Sequence, residues 1–214
     1  MKNTLAISAA IAHLFIFTSF TYAHHASFES DLTGQDSTLE NPWSIGDVHV
    51  AYDHFSILGE GDVDYITFDG TAGQEVSDLV IVFPASLSFL PHVAIAGPGL
   101  SGGSIPDWAP VPDGLGIMNY EYATDWLTEE AFGELENIIV LSYDEPRPFT
   151  LPETGVYWLI IYHEEQKPGY YSIAHGEDHS IGAHAEDWEQ KLDAWIQAAL
   201  AFEQASVSDW ELLD

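Results

Sequence analysis

The chain has 214 residues, no cysteine, and 35 acidic residues against only four lysines and arginines, which gives a formal net charge of −31 at pH 7. A chain this acidic repels nucleic acid and anionic lipid, so we expect neither as a partner. The absence of cysteine excludes disulfides, thiolate metal sites and a cysteine nucleophile. A halophilic or marine origin explains such an acidic surface, and storage of cations is the alternative.

The first 23 residues have the three parts of an export signal. Lys2 is the positive residue, 5–20 form an apolar run, and Thr21 and Ala23 are the small residues before a cleavage site. A retained membrane anchor is the alternative, although His13 interrupts the apolar run. We predict cleavage after Ala23, a periplasmic or extracellular location, and a mature net charge of −32, because Lys2 is the only charged residue removed.

Short runs of β-branched and aromatic residues, separated by Gly and Pro, predict a mainly β chain. The predicted strands cover 46–52, 62–69, 75–83, 91–96, 137–143, 156–163 and 169–175. The continuous apolar run at 156–162 predicts a central strand covered on both sides. This number of short strands indicates one antiparallel β-sandwich domain, over 24–183.

Two segments interrupt the predicted strands. Residues 97–116 are rich in Gly and Pro, which predicts a long surface loop. Residues 125–135 have the composition of a short helix, for which Thr124 is the candidate cap.

The last part of the chain, 184–214, is predicted to be a helix and tail. Between 184 and 204, apolar residues recur at spacings of three and four, which predicts one apolar helix face. The residues of this face are Trp188, Leu192, Trp195, Ala199 and Phe202. Charged residues within the segment exclude a membrane span. The face either packs on the sandwich or binds a partner.

Two sequence patterns lie near the ends of the span 45–175. The first has Asp62, Asp64, Tyr65 and Phe68 ahead of the turn at 72–74, and the second is the pair of runs Leu151-Pro-Glu-Thr-Gly-Val-Tyr-Trp-Leu159 and Gly169-Tyr-Tyr-Ser-Ile173. Together they resemble the front and back halves of the bacterial pre-peptidase C-terminal domain. The segment 91–100 and the loop after it form an insertion relative to that pattern.

The resemblance implies a secreted, jelly-roll-like β-sandwich that serves as an accessory module beside a protease or hydrolase. Some members of that family bind calcium or a fibrous polymer, but the match assigns neither property to particular residues here. The segment Gly99-Leu-Ser101-Gly-Gly103 formally fits a nucleophile elbow, yet the prolines after it prevent the helix that such an elbow requires. His163-Glu164-Glu165 lacks the second histidine of a zinc protease motif.

Histidines are the best candidates for a metal site. His175, His179 and His184 are closely spaced, and cleavage after Ala23 leaves His24 and His25 at a new N-terminus. An α-amine and an imidazole can chelate one copper ion together, and neutral imidazoles also suit zinc. Solvated loop histidines and a frayed terminus are the alternative interpretation.

Calcium is a separate hypothesis, for which Glu60, Asp62 and Asp64 supply oxygen ligands near the start of a predicted strand. An exposed acidic turn is the alternative. Trp108, which lies between prolines in the long loop, is a candidate for ligand contact or for packing over the sandwich edge.

These observations favour an exported, non-catalytic β-sandwich that binds a protein or polysaccharide partner. The second hypothesis is a periplasmic or secreted protein that binds copper or zinc through His24, His25 and the histidines at 175–184. An enzyme is the weakest interpretation, because no set of residues has the pattern of a catalytic site.

Overall fold

The computed structural model describes residues 25–28, 38–76, 79–82, 89, 91–120, 149–176, 178 and 186–211. In these ranges the chain forms strands β1 (His25–Phe28), β2 (Trp43–Gly46), β3 (Tyr52–Leu58), β4 (Val63–Gly70), β5 (Glu75–Val76), β6 (Leu79–Val82), β7 (His92–Gly97), β8 (Gly116–Tyr120), β9 (Phe149–Thr150), β10 (Gly155–Tyr162) and β11 (Gly169–His175), and the helix α1 (Trp188–Glu211). The predicted fold class, a mainly antiparallel β-sandwich with a C-terminal helix, is confirmed.

Two main sheets face each other. One has the order β1-β3-β11-β6, the other has the order β2-β4-β10-β7-β8, and β5 and β9 form a separate pair. Strand pairs are antiparallel except β1–β3 and β2–β4, which are parallel. The chain crosses between the sheets several times. Two of these crossings, from β3 to β4 and from β10 to β11, lie at the same end of the sandwich, which we call the crossing end.

The core lies between the two sheets, and β10 shows how the sequence builds it. Tyr157, Leu159 and Ile161 are buried in the core between the sheets, while Ile160 and Tyr162 belong to a second apolar cluster on the outer face. Since successive side chains of a strand point to opposite faces, a strand covered on both sides needs a continuous apolar run. The prediction of a central strand here is confirmed, because β10 pairs with β4 and β7.

The long loop after β7 covers the outer face of the five-stranded sheet. Ala109 is buried there, and Ile105 and Trp108 pack against the same cluster. The hydroxyl of Tyr65 donates a hydrogen bond to the carbonyl of Pro110 at 2.8 Å, which ties the loop to β4. The prediction of irregular structure is confirmed for 98–115, but the loop has an apolar inner side.

The helix α1 covers the outer face of the four-stranded sheet. Trp188, Leu192 and Trp195 pack against Phe28 and Phe55. The Trp195 ring meets the Phe55 ring edge-on at 5.1 Å, and its Nε1–H donates to the carbonyl of Ser56 at 3.2 Å. The apolar helix face predicted from the sequence therefore packs on the sandwich.

The predicted strand at 46–52 is wrong, since this segment is the turn between β2 and β3. Gly46 has a φ of 69°, a left-handed conformation that suits glycine and ends the strand. The Asp47 carboxylate accepts a hydrogen bond from the His49 amide at 3.0 Å, and the Val50 amide donates to the Asp47 carbonyl at 3.2 Å. Local side-chain bonding of this kind competes with a strand.

Other boundaries also differ from the predictions. The predicted strand at 75–83 corresponds to β5 and β6. Strands β1, β2, β3, β8 and β9 were not predicted, apart from the end residues Gly46 of β2 and Tyr52 of β3. The predicted signal at 1–23, helix at 125–135 and strand at 137–143 lie outside the described residues. The helix begins at Trp188 and extends to Glu211, beyond the predicted end at 204.

Candidate functional site

Strand register brings two of the predicted metal-binding segments together at the end of the sandwich that is opposite the crossing end. Tyr52 of β3 pairs with His25 of β1 on one side and with His175 of β11 on the other. Just beyond this row, Val50 forms a parallel bridge with Asp178. His25 and His175, which are about 150 residues apart in sequence, thus lie at the same end of one sheet. We call His25, Tyr52 and His175 the histidine row.

His54 lies two residues further along β3 than Tyr52 and faces the interior. Its side chain is buried and stacks on Trp43 with ring centroids 3.9 Å apart. Its Nδ1 is 3.0 Å from the hydroxyl oxygen of Ser27, whereas its Nε2 has no hydrogen-bond partner among the described residues. A buried imidazole nitrogen in this state is a candidate ligand for a metal ion.

His175 is also buried, and its Nδ1 is 3.2 Å from the Val48 carbonyl oxygen. Because a carbonyl only accepts hydrogen bonds, this contact favours the neutral ring with its proton on Nδ1. The pKa of His54 is lowered to about 3, first by burial and second by the neighbouring His175. His54 is therefore neutral at physiological pH, which is the state a metal ligand requires.

The remaining residues of the predicted metal set lie outside this description. His24, His179 and His184 are not among the described residues, and for His25 only the strand position is described. Within the described ranges, no three His, Asp or Glu side chains group closely enough to hold a metal ion. The copper or zinc hypothesis stays a prediction.

The three calcium candidates lie at the crossing end of the sandwich, in different environments. Glu60 and Asp62 are exposed in the turn before β4, and one carboxylate oxygen of Asp62 accepts from the Val63 amide at 2.9 Å. Asp64 is buried and faces the interior. Its carboxylate accepts hydrogen bonds from Tyr171 at 2.7 Å and from Ser56 at 3.5 Å, which links the two sheets. Asp64 therefore has a packing role of its own, and calcium binding stays a prediction.

Trp108 lies at the same end, on the outer face of the five-stranded sheet, and is half-buried. Its ring meets the Tyr162 ring edge-on at 5.9 Å. On another side His92 stacks on Tyr162 at 5.5 Å, with an interplanar angle of 22°. The Nε2 of His92 is 3.9 Å from a carboxylate oxygen of Glu164. We call these four residues the aromatic–acidic patch.

The turn at 163–168 holds this patch in position. His163 is buried and stacks on Phe89 at 5.3 Å, and its Nδ1 accepts from the Glu165 amide at 3.1 Å. The Gln166 carbonyl accepts from the Gly61 amide at 3.0 Å, which joins the two crossing turns. The His163-Glu164-Glu165 segment is thus a structured turn. Burial of the His163 ring is the main cause of its lowered pKa.

Sequence reasoning named Trp108 as a candidate for ligand contact or for packing over the sandwich edge. The structure shows it packed against the outer-face cluster, and ligand contact stays a prediction. Ser101 is exposed in the irregular segment that follows β7, where no helix opens. Sequence reasoning did not single out Tyr162, His92 or His54. The signal for His54 is its alternation with Tyr52 and Ser56 along β3, a segment that was not predicted as a strand beyond Tyr52. Tyr162 and His92 are partners because β10 pairs with β7.

The fold defines this chain as a β-sandwich whose outer faces are partly covered by a loop and a helix of its own. No family model matches the chain, and no curated protein sequence matches it. No helix in the described ranges is long and apolar enough to cross a membrane.

Solved structures that are similar to this chain at a low level include the following two. PliG of Salmonella Typhimurium, a periplasmic inhibitor of g-type lysozyme, has 15% identity and a TM-score of 0.35, with 62% of this chain and 95% of that chain covered. The pre-peptidase C-terminal domain of a collagenase from Bacillus anthracis has 12% identity and a TM-score of 0.34, with 62% and 91% covered. The partial resemblance to the pre-peptidase C-terminal domain that the sequence patterns predicted is thus found again, at low structural similarity.

Proposed function

We propose that this chain is an exported, non-catalytic β-sandwich that binds a partner. The observation that carries the proposal is its surface: the chain has a net charge of −31, and its own loop and helix cover apolar parts of both outer sheet faces. A partner therefore meets mainly acidic side chains, with the half-buried Trp108 and His92 at one end. Charge complementarity makes a basic protein the favoured partner over a nucleic acid or an anionic lipid.

Calorimetric titration against a panel of basic proteins, with g-type lysozyme among them, tests this proposal. We expect saturable binding of at least one panel member at about 0.15 M salt, with an affinity that falls as salt rises. Acidic proteins of similar size are the control. Equal, non-saturating signals from basic and acidic proteins would contradict the proposal.

Export is tested separately by expression of the whole chain in a Gram-negative host. We expect the periplasmic protein to begin at His24, since the signal pattern ends at Ala23. N-terminal sequencing measures this directly. Retention of the full chain in the membrane fraction would support the anchor interpretation.

Copper or zinc binding is the second candidate, and the histidine row favours it. The register aligns His25 with Tyr52 and Tyr52 with His175, and His54 adds a buried imidazole two residues further along β3. An N-terminal amine at His24 would lie one residue before this row. Imidazole and amine nitrogens suit both copper and zinc.

Metal analysis of the cleaved, purified protein tests this candidate. We expect about one copper or zinc ion per chain, lost in His24→Ala and retained in His92→Ala, the control at the crossing end. A metal-free protein whose thermal stability is unchanged by added copper and zinc would exclude the site.

A further inference from the structure

The structure assigns a specific role to the aromatic–acidic patch: we infer that Trp108, His92 and Glu164, which are arranged around the buried Tyr162, bind a lysine or arginine side chain of a basic protein partner. This inference rests on the proposed binding function and names the surface that carries it. Four observations support it, namely ring geometry, an exposed carboxylate, the local charge and the rigidity of the support.

The rings of the patch are arranged around Tyr162. His92 stacks on one side of it and the Trp108 ring meets it edge-on. Tyr162 itself is only 4% exposed, so the half-exposed rings of Trp108 and His92 form the outer surface. Aromatic rings attract cations through their negative faces, and Trp is the strongest of them.

Glu164 supplies the charged group. Its side chain is 66% exposed, with a carboxylate oxygen 3.9 Å from His92. The same carboxylate helps to raise the pKa of Tyr162, although burial is the larger cause. A carboxylate beside aromatic rings matches a guanidinium group, which can donate two hydrogen bonds along its edge and stack on a ring through its plane.

The charges around the patch favour a cation over a sugar. Glu60 and Asp62 are exposed in the neighbouring turn, and Lys167 forms an ion pair with Glu165. The other lysine of the described ranges, Lys191, lies in α1 and pairs with Asp187. Among the described residues, both lysines thus pair with other carboxylates, so an incoming lysine or arginine meets the negative charge of Glu164.

The support of the patch is rigid. Tyr162 lies in β10, a strand paired on both sides, and His92 opens β7 directly opposite it. The loop that carries Trp108 is tied to β4 through the Tyr65–Pro110 hydrogen bond. Side chains held in this way lose little conformational freedom on binding, which favours affinity.

Titration of the mature protein with a short peptide of alternating Arg and Gly tests the inference. At about 0.15 M salt we expect Glu164→Gln to weaken binding about tenfold, because a charge-assisted hydrogen bond is lost. Glu75→Gln is the matched control: it removes the same charge from an exposed glutamate in β5, beyond the other end of β4. We expect it to weaken binding about twofold or less.

Two further variants separate the contribution of the Trp108 ring to binding from its contribution to packing on the sheet. Trp108→Ala should weaken binding about tenfold, and Trp108→Phe should restore most of it, since an aromatic ring returns to the site. Because Trp108 also packs on the sheet, the Phe variant and the exposed Glu164→Gln variant keep the test decisive if the Ala variant is unstable.

Three results would overturn the inference. They are no binding of the peptide by the wild-type chain, equal losses in Glu164→Gln and Glu75→Gln, and tighter binding of an uncharged polysaccharide that Glu164→Gln does not change. If a basic panel protein still binds all the variants equally, the proposed binding function stands and this location is wrong. If no panel protein binds, the proposed function itself fails.

Discussion

Asp53 and His54 are neighbours in β3, and burial disfavours the charged form of both. Asp53 faces the helix side of the four-stranded sheet, where the hydroxyl of Ser172 donates a hydrogen bond to its carboxylate. Burial raises the pKa of Asp53 to about 6, and this hydrogen bond opposes part of the rise. For His54, burial lowers the pKa to about 3, with His175 adding to the effect. The two residues therefore make stability depend on pH in opposite directions.

Asp53→Asn is expected to stabilise the protein at alkaline pH. The raised pKa means that Asp53 contributes its stability below its unfolded pKa of 3.8 and loses it as pH rises through about 6. Asn keeps the acceptor for Ser172 without the charge, so the free energy of unfolding at about pH 8 should rise by about 1–2 kcal/mol. Urea unfolding measures it. Asp69→Asn, an exposed change of the same charge, is the control, and an equal gain in both variants would indicate only reduced repulsion.

His54→Phe is expected to reduce acid sensitivity. The lowered pKa of His54 means that its contribution is present above the unfolded value of 6.5 and is lost as pH falls towards about 3. Between about pH 6.5 and 4.5 the wild-type chain should lose about 2–3 kcal/mol more than the variant, at about 1.4 kcal/mol per pH unit. Parallel urea titrations at both pH values measure this difference. The exposed His49→Gln should behave like the wild type, and an unchanged slope in His54→Phe would show that His54 is not the buried neutral group.

At the scale of elements, the loop after β7 and the helix α1 cover the two outer faces of the sandwich. We call these two elements the covers. The loop after β7 covers one outer face with Ala109 and Trp108, and α1 covers the other with Trp195. Tyr170 of β11 contacts α1 at two rings, Trp195 at 5.7 Å and Phe202 at 5.7 Å. Both covers bury apolar strand residues that would otherwise face water.

Removal of the Trp195 side chain tests the packing of α1. Trp195→Ala should lower the free energy of unfolding by about 2–4 kcal/mol, because ring contacts to Phe55 and Tyr170 are lost. Trp195→Phe keeps a ring and loses the hydrogen bond to Ser56, which should cost about 1 kcal/mol. Thermal and urea unfolding measure both. Gln197→Ala, at an exposed position of the same helix, should change stability by less than about 0.5 kcal/mol. If Trp195→Ala behaves like Gln197→Ala, the helix does not pack on the sheet.

At the scale of the whole molecule, repulsion between like charges opposes the compact state. A net charge of −31 on 214 residues is screened only when salt shortens the Debye length, from about 10 Å at 0.1 M to about 3 Å at 1 M. A halophilic or marine setting for the chain stays a prediction. It also makes basic partners and cations the natural ligands of the surface.

Salt should therefore stabilise the chain. Raising NaCl from about 0.05 to 1 M should raise the melting temperature by several degrees, because screening relieves the repulsion. Differential scanning calorimetry measures it. CaCl2 at matched ionic strength separates screening from the proposed calcium binding at Glu60, Asp62 and Asp64, since only binding adds a further rise that saturates. A melting temperature that does not change with NaCl would contradict the screening argument.

Strands were predicted accurately where the local sequence pattern was strong and specific to a strand. The run at 156–163 and the segment 169–175 were located almost to the residue, because a continuous apolar run and an aromatic alternation are purely local signals. The segment 46–52 alternates equally well, yet Gly46 and Asp47 make it a turn through bonding that periodicity does not describe. The histidine row depends on pairing between β1, β3 and β11, which no local pattern encodes.

The amino-acid sequence alone determined the acidic character, the absence of thiol chemistry, the β-sandwich class and the amphipathic C-terminal helix, because each follows from composition or from a short periodic pattern. Trp108 was already a candidate contact at that level. Only the tertiary structure decided that Trp108 meets Tyr162, that His92 stacks on the same ring beside Glu164, and that His25 and His175 share a row. Strand order and register bring together residues far apart in the chain, and they are set by packing of the whole sandwich rather than by any one segment.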